Sequence, residues 1–417
     1  MAPRSVRVMG VQTAAGTGRR AGGALIPLGV MFLAVGISTA LVMPFLSLFL
    51  STEVRAGPVE VTVFLVAAPL AGVVASWLIG RLSDRRAIRR LLLVGASLAG
   101  FAGSLATAFV RDYWILLGLA ATAFAVANAL FPQTFAYARQ VLLRDNPAGA
   151  AMAISGLRTV FSLAWVAGPP LAAVLLQAGG FRFVYGAAAG MYLLAAVVAT
   201  FLLSEPPAVD APAADGTPAA PVPAGRDASR ATLVLATAGF TLLQCPITLG
   251  AQALPLYASN DLGGDVGDAG LILGLCAALE IPLMLGLGRL TTRVPLRPLI
   301  LGGAAAGVAY FGVATAAGSV WVLLAAQLLN ALFIAAVSGL GITYVQEMLP
   351  RQPGRASTLF ANTFPIGAML AGPLFGIAQH AGFRLAYVTG TALCALGLLL
   401  LVPTRNDHVA ERAGPVG

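Results

Sequence analysis

The sequence predicts an all-α membrane protein of twelve transmembrane helices, arranged as two six-helix pseudo-symmetric halves. Its 417 residues are 59% hydrophobic and only 10% charged, with a mean hydropathy of +0.88. Soluble domains carry about 25% charged residues. Apolar runs of about 20 residues recur from end to end, and each is long enough to cross the ~30 Å hydrocarbon layer as a helix. Phrases from the first half of the chain also return in the second half.

Twelve apolar runs are predicted to span the bilayer. In chain order, spans 1 to 12 cover 25–50, 60–80, 91–110, 113–138, 148–177, 182–203, 231–257, 268–288, 298–317, 320–347, 355–379 and 383–403. The segment 204–230 is rich in Pro, Ala and Asp, cannot bury a core, and is predicted to be a semi-extended linker. It separates an N-terminal half, 25–203, from a C-terminal half, 231–403. Residues 1–24 and 404–417 are predicted to be tails.

The arginines predict how the spans are oriented. With the N-terminus in the cytoplasm, the arginines on the outer side are Arg55, Arg111, Arg182 and Arg384, and nearly all the others fall on the cytoplasmic side. Cytoplasmic loops of membrane proteins carry an excess of basic residues. Both termini and the linker are therefore predicted to be cytoplasmic, with the chain in the cell inner (plasma) membrane. The net charge of +9 does not predict nucleic-acid binding, because the arginines form no basic face.

The two halves are predicted to be repeats. The stretch GRLSDRRAIRRLLLVGA at Gly80 returns as GRLTTRVPLRPLILGGA at Gly288, and NALF at Asn128 returns at Asn330. GFRFVYG likewise returns as GFRLAYV, and AGPPLA as AGPLFG. Spans 2 to 6 therefore map onto spans 8 to 12. Parallel repeats of this kind are typical of transporters whose substrate site lies between the halves, near the midplane.

The stretch that begins at Gly80 resembles the loop between spans 2 and 3 of the major facilitator superfamily. This resemblance implies the superfamily fold and a conformational latch made by Gly80, Asp84, Arg85 and Arg89, which holds the halves in the outward-open state. Glu347, at the end of span 10, is predicted to act as a structural latch there, beside two further arginines.

Two departures from the superfamily pattern affect the predicted latch. Ala87 stands where the family usually has glycine, and Thr292 stands in the second copy where the first has aspartate. Latching is therefore predicted to be asymmetric. The alternative for Arg89 is that it only follows the bias of arginine toward the cytoplasm.

Within that superfamily, nearly the whole chain resembles the sugar efflux transporters. The phrases that carry the resemblance are PFLSLFLSTEV at Pro44, PQTFAYAR at Pro132, SLAWVAGPPLA at Ser162, ALEIP at Ala278 and QEMLPRQPGRASTLFAN at Gln346. The resemblance implies export of mono- or disaccharides and glycoside-like analogues, driven by proton exchange and without a cofactor. The alternative is a proton-coupled drug exporter of the same superfamily, because WVAGPP in span 5 is similar to the antiporter motif of that group.

Two charged residues lie deep within the spans, Arg158 in span 5 and Glu280 in span 8. A charge at the centre of a membrane helix costs about 2.5–3.5 kcal/mol on insertion scales, so it usually faces a partner or a wet cavity. Because spans 5 and 8 are neighbours in the superfamily fold, we expect the two residues to pair or to share one cavity, with Glu280 carrying the proton. A static structural ion pair is the alternative. The repeat places Asn362 opposite Arg158 and Gly72 opposite Glu280, so neither charge has a counterpart.

A sugar site needs hydrogen-bond donors and acceptors together with an aromatic face. The polar and aromatic candidates are Asn128 and Gln133 in span 4, Trp165 in span 5, Gln244 and Gln252 in span 7, Asn330 and Gln346 in span 10, and Asn362 in span 11. For each amide the alternative is a hydrogen bond that only joins two helices.

Several other classes of protein are not expected. The three cysteines, Cys245, Cys276 and Cys394, lie inside apolar runs and are predicted to be core residues rather than disulfides or metal ligands. No two acidic residues share a helix core, which argues against an intramembrane enzyme. The small-residue pairs that begin at Gly186 and Gly303 are expected to pack within one chain, so a monomer is predicted.

Overall fold

The computed structural model describes residues 18–85, 88–145, 149–205 and 227–404. Every regular element in these residues is helical. Eleven of the described helices are long and apolar enough to cross a membrane, and one of them contains two spans. The predicted membrane fold of two six-helix halves is confirmed.

We number the spans α1 to α12 in chain order. The first half contains α1 (Gly18–Val42, continued by Met43–Phe45 and Leu46–Thr52), α2 (Pro58–Arg85), α3 (Arg89–Phe109), α4 (Tyr113–Leu119, continued as far as Leu130–Asp145), α5 (150–178) and α6 (181–201). The second half contains α7 (Arg230–Asp261), α8 (Val266–Leu290), α9 (Leu296–Ala316), α10 (Val320–Met348), α11 (Pro353–Ala381) and α12 (Arg384–Leu401). Most helices run a few residues past the predicted spans, because a helix need not end where the hydrocarbon begins.

Two glycines separate α5 from α6. Within the helical stretch Ala150–Phe201, Gly179 and Gly180 leave the helical region, and Gly180 has a φ of 68°. Glycine adopts positive φ at no steric cost. A straight helix of 52 residues would be about 78 Å long, more than twice the hydrocarbon thickness, so the chain must turn here. Gly382, with a φ of 110°, makes the equivalent turn between α11 and α12.

The two ends of the bundle differ in charge. We call the end that holds the α2–α3 and α8–α9 connections the arginine-rich end, and the opposite end the arginine-poor end. Arg81 and Arg90 lie at the arginine-rich end in the first half, and Arg289 and Arg297 lie there in the second.

A tyrosine and an arginine fasten α6 to its own half at the arginine-rich end. The hydroxyl of Tyr137 in α4 donates to the backbone carbonyl of Ser204 at 2.7 Å. The guanidinium of Arg90 in α3 donates to the carbonyls of Ala199, at 3.1 Å, and Thr200. The last carbonyls of a helix have no partner within the helix and carry partial negative charge, so these donors satisfy them.

The second half repeats this arrangement at α12. The hydroxyl of Tyr344 in α10 donates to the carbonyl of Thr404 at 2.7 Å, and the guanidinium of Arg297 in α9 donates to the carbonyl of Val402. Both tyrosines are 2% exposed. These two arginines therefore have a packing function besides orientation, because they join the third helix of each half to the sixth.

Removing either tyrosine hydroxyl should destabilise the protein. Tyr344→Phe leaves the ring in place but takes one donor from a buried carbonyl, a loss of about 1–3 kcal/mol. We expect Tyr344→Phe and Tyr137→Phe each to lower the melting temperature of the purified protein in detergent. Tyr185→Phe is the matched control, since Tyr185 is also 2% exposed but its hydroxyl makes no hydrogen bond in the described part of the chain. An equal loss in all three variants would contradict this account.

Candidate functional site

A cavity of about 1380 Å³ lies between the two halves. Helices α1, α2, α4 and α5 supply most of its wall on one side, and α7 and α11 supply the other. Its lining extends from Arg89 and Thr358 at the arginine-rich end to Phe49 and Phe375 near the arginine-poor end. The cavity thus occupies the position that the repeat predicts for a substrate site.

Hydrogen bonds join the halves at the arginine-poor end of the cavity. Ser47 in α1 donates from its backbone N–H to Oε1 of Gln252 in α7 at 3.2 Å, and from its hydroxyl to the Gln252 carbonyl at 2.5 Å. Gln379 in α11 donates from Nε2 to Ser51 Oγ at 3.3 Å and to the Ala56 carbonyl at 3.4 Å. These bonds tie the outer ends of α7 and α11 to α1 and to the α1–α2 connection.

Glycines bring the helix backbones into contact at the same end. A Cβ on Gly376 of α11 would overlap Thr62 Oγ1 of α2, and a Cβ on Gly274 of α8 would lie 2.5 Å from Pro170 Cγ of α5. Small residues allow membrane helices to approach closely. The cavity is therefore sealed at the arginine-poor end, by α2 against α11 and by α5 against α8, while it reaches the arginine-rich end.

Five of the predicted polar and aromatic residues line this cavity: Asn128, Gln133, Trp165, Gln252 and Asn362. Gln133 is 7% exposed, and its Oε1 has no hydrogen-bond partner in the described residues. An unpaired buried amide oxygen costs free energy, and a hydroxyl of a bound ligand would satisfy it.

The position of Asn128 depends on an irregular stretch of α4. The helix widens into a π turn, Ala120–Phe124, just before this residue, and such turns are frequent at functional sites. The Asn128 side chain then packs over Gly72 of α2, where a Cβ would lie 2.7 Å from Asn128 Nδ2. Gly72 therefore makes room for the amide that Asn128 presents to the cavity.

Sequence reasoning missed Thr248 in α7. It lines the cavity, is 7% exposed, and its Oγ1 has no partner in the described residues. Threonine in a helix usually bonds to the carbonyl one turn earlier, as Thr241 does to Thr237 at 2.8 Å. No pattern in the single sequence distinguishes these two threonines.

Three predicted amides do not line the cavity and instead bond within the C-terminal half. Gln346 Nε2 donates to Ser357 Oγ at 2.8 Å, and Asn330 Nδ2 donates to a neighbour on its own helix at 3.1 Å. Gln244 is 2% exposed, with its Nε2 3.5 Å from Ser338 Oγ. The repeat partners Asn128 and Asn330 thus differ in their surroundings, since only Asn128 faces the cavity.

Arg158 and Glu280 lie on the two helices that meet at the Pro170–Gly274 contact, closer to the arginine-rich end. The two described side chains form no ion pair within 4.0 Å. Arg158 is exposed and Glu280 is half-buried. Neither residue lines the cavity. They therefore flank it at the interface between the halves.

The predicted latch residues are only partly described. Gly80 lines the cavity, and Arg89 donates to Gln140 Oε1 at 3.2 Å. The side chains of Asp84 and Arg85 lie outside the described residues.

At the arginine-rich end, the carboxylates that accept hydrogen bonds are not the ones that were predicted. Glu347 is exposed and makes no ion pair with the described arginines. Glu205 accepts from the backbone N–H of Arg90 at 3.2 Å, and Asp227 accepts from the backbone N–H of Arg351 at 3.3 Å and from Gln352 Nε2 at 3.0 Å. Both carboxylates lie where the linker meets the helices. The sequence patterns did not single out either residue.

Comparison with known proteins identifies the same fold and family. The Major Facilitator Superfamily model matches residues 28–319 and 248–416. Sugar efflux transporter A of Dickeya chrysanthemi is 37% identical over 86% of this chain and 91% of the relative. The putative sugar efflux transporter of Deinococcus radiodurans is 35% identical over 91% and 97%, and sugar efflux transporter A of Escherichia coli is 32% identical over 93% and 98%.

Solved structures with low sequence identity share the architecture. A mutant form of the nucleoside transporter NupG superposes with a TM-score of 0.73 at 12% identity, covering 91% of this chain and 99% of that one. A D-xylose-proton symporter superposes with a TM-score of 0.71 at 14% identity, covering 92% and 97%. These similarities establish the fold alone.

Widening the contact at Gly376 should weaken the seal. Gly376→Ala adds a methyl group that overlaps Thr62, so α2 and α11 must separate at the arginine-poor end. We expect spin labels at Asp112 and Asp261, both exposed at that end, to show a longer distance by electron paramagnetic resonance. Gly286→Ala is the control, because nothing lies within 4 Å of its added Cβ. Unchanged distances in Gly376→Ala would show that the glycine contact does not form the seal.

Proposed function

The chain belongs to the Major Facilitator Superfamily and, within it, to the sugar efflux transporters, and on this premise we propose that it exports sugars or sugar-like glycosides from the cell. In this proposal it works as a monomer by alternating access, and sugar leaves in exchange for entering protons. The observation that carries the proposal is the cavity between the halves, which is sealed at the arginine-poor end and reaches the arginine-rich end. Because basic residues mark the cytoplasmic side, this is the inward-open state, in which an exporter takes up its substrate.

The chemistry of the cavity supports an uncharged, hydroxyl-rich substrate. None of the described residues that line it is Asp or Glu, so a cation would find no counter-charge among them. The free groups are instead neutral, with Asn128 and Asn362 amides, the unpaired Gln133 Oε1 and the unpaired Thr248 Oγ1. Sugar hydroxyls both donate and accept, so they match these groups. Trp165 adds an aromatic face for the C–H surface of a sugar ring.

The size of the cavity is compatible with a disaccharide. Pockets for drug-sized ligands usually measure about 300–1,000 Å³, and this cavity of about 1380 Å³ is larger. A sugar would therefore bind with water, and closure of the arginine-rich end would draw the two halves around it. The alternative substrate class, cationic drugs, lacks an acidic partner in the described cavity lining.

The proposed coupling site is the pair Arg158 and Glu280. When Glu280 is ionised, its attraction to Arg158 pulls α5 and α8 together on the arginine-rich side of the Pro170–Gly274 contact and favours the outward-open state. When Glu280 is protonated, that attraction is lost and the inward-open state is favoured. Two opposite unit charges that close from about 8 Å to about 4 Å at an effective dielectric constant near 20 gain roughly 2 kcal/mol, which is enough to shift a two-state equilibrium about 30-fold.

In this arrangement, sugar leaves the cell in exchange for a proton that enters it. Sugar that binds in the inward-open state favours closure of the arginine-rich end, and closure favours ionised Glu280, so the proton leaves toward the cytoplasm. After sugar is released outside, a new proton neutralises Glu280 and the protein returns inward. The latch around Gly80 and Arg89 would add to the closed state at the same end.

A transport panel tests the substrate class. Everted membrane vesicles that contain the protein should accumulate labelled lactose or glucose when their interior is acidified, because the substrate then moves from the cytoplasmic face inward in exchange for protons that leave. A labelled cationic dye should not accumulate above vesicles without the protein. Accumulation of the dye without any sugar would favour the drug exporter and contradict the proposal.

Glu280→Gln should uncouple transport from the proton gradient. Glutamine keeps the shape of the side chain but cannot ionise, so the pull toward Arg158 is permanently absent. We expect proton-driven sugar accumulation to be lost, while sugar binding to the purified protein persists and no longer changes with pH. Asp261→Asn removes an exposed carboxylate at the opposite end and serves as the control. Normal pH-dependent accumulation in Glu280→Gln would make Glu280 structural.

A further inference from the structure

Helix α2 has an apolar side that faces away from the protein core. Leu70, Val74 and Leu78 recur every fourth residue and are 48%, 50% and 53% exposed, which defines one continuous helix face. In a membrane protein such a face contacts lipid. Val74 also lines the central cavity, together with its neighbours Val73 and Trp77. The cavity therefore extends around α2 as far as the lipid-facing side.

The extension lies on the side of α2 that faces α11. Near the arginine-poor end, Val66 of α2 touches Gly372 of α11, where a Cβ would lie 3.0 Å from Val66 Cγ2. Residues seven positions apart lie on nearly the same side of a helix. Val73 and Gly80 follow Val66 at this spacing, and both line the cavity.

On helix α11, too, one side passes from contact with the other helix to lining of the cavity. Pro365 and Thr358 precede Gly372 at the seven-residue spacing, so they lie on the side of α11 that faces α2, and both line the cavity. The two helices thus touch at the arginine-poor end and diverge toward the arginine-rich end. Between them the cavity has a gap in its side wall that faces the bilayer.

We propose that the gap between α2 and α11 is a side entrance from the bilayer for an uncharged amphiphile with a single alkyl chain. The chain lies against Val73, Val74 and Trp77, while the polar head reaches Asn128 and Gln133 in the cavity. The inference rests on the proposed export function, because the head occupies the proposed sugar site. It adds that the substrate reaches that site through the inner leaflet as well as through the aqueous end of the cavity.

The rim of the gap offers apolar surface for an alkyl chain, and the guanidinium of Arg81 lies 5.5 Å from the centre of the Trp77 ring. Trp77 is 59% exposed and Phe364 of α11 is 44% exposed, and both line the cavity. Asn362 follows on the α11 side and offers an amide close to the polar interior. An alkyl chain that lies in the gap stays out of water, and each CH₂ group exposed to water instead would weaken binding about fourfold. The bilayer also concentrates the amphiphile beside the gap.

Narrowing the gap should distinguish entry from the bilayer from entry through the aqueous end of the cavity. Everted vesicles are given methyl glucoside, which stays in water, or hexyl glucoside, which partitions into the membrane. Val73→Trp should reduce hexyl glucoside transport about fifteenfold more than methyl glucoside transport, equivalent to losing two buried CH₂ contacts. Leu78→Trp, on the same helix but outside the cavity lining, should affect neither. Equal loss of both glucosides in Val73→Trp, or no loss of either, would overturn the side entrance.

A second readout does not require transport. A dodecyl glucoside with a photoreactive group in its chain is added to membranes that contain wild-type protein and is then illuminated. We expect label on the peptides that contain Val73–Trp77 and 358–365, with loss of that label in Val73→Trp. If neither glucoside is transported but these peptides are labelled, the export proposal fails and the side entrance stands. Label spread evenly over all lipid-facing helices would overturn the entrance.

Discussion

Close backbone contact at one end of the bundle is the constraint on which the cavity depends. Where Gly376 meets Thr62 of α2 and Gly274 meets Pro170 of α5, the glycines leave room for only a short side chain between the helices, so the halves can seal there without long interlocking side chains. The same contacts leave the other end of the halves free to diverge. A larger residue at these positions would remove the seal, and with it the difference between the two ends that alternating access requires.

The repeat supplies a symmetrical frame, and transport chemistry requires that the symmetry be broken. Tyr137 and Tyr344 fasten the sixth helix of each half in the same way, which keeps each half rigid while the halves move. Glu280 and Arg158, in contrast, have Gly72 and Asn362 as their repeat partners. Gly72 is not merely a missing charge, because its lack of a side chain makes room for Asn128. In the proposed mechanism, one member of each repeat pair serves the cavity and the other serves coupling.

Much of the fold could be predicted from the sequence, because bilayer thickness and backbone hydrogen bonding leave few choices. The lengths of the apolar runs predicted all twelve spans, including the breaks near Gly180 and Gly382, where the backbone has positive φ angles. The site was less predictable. Asn128 and Asn330 are equal in the repeat, yet a π turn directs only the first into the cavity. Thr248 carries no signal at all, because its missing partner is a property of the neighbouring helices.

Proton release upon sugar binding tests the central claim most directly, because it measures the link between the two ligands at one protein. Transported sugar is added to the purified protein in weakly buffered detergent solution, and the pH is recorded. The account predicts release of up to about one proton per protein, and no release from Glu280→Gln under the same conditions. Sugar binding without proton release in the wild type, or equal release in both proteins, would contradict the coupling of sugar export to Glu280.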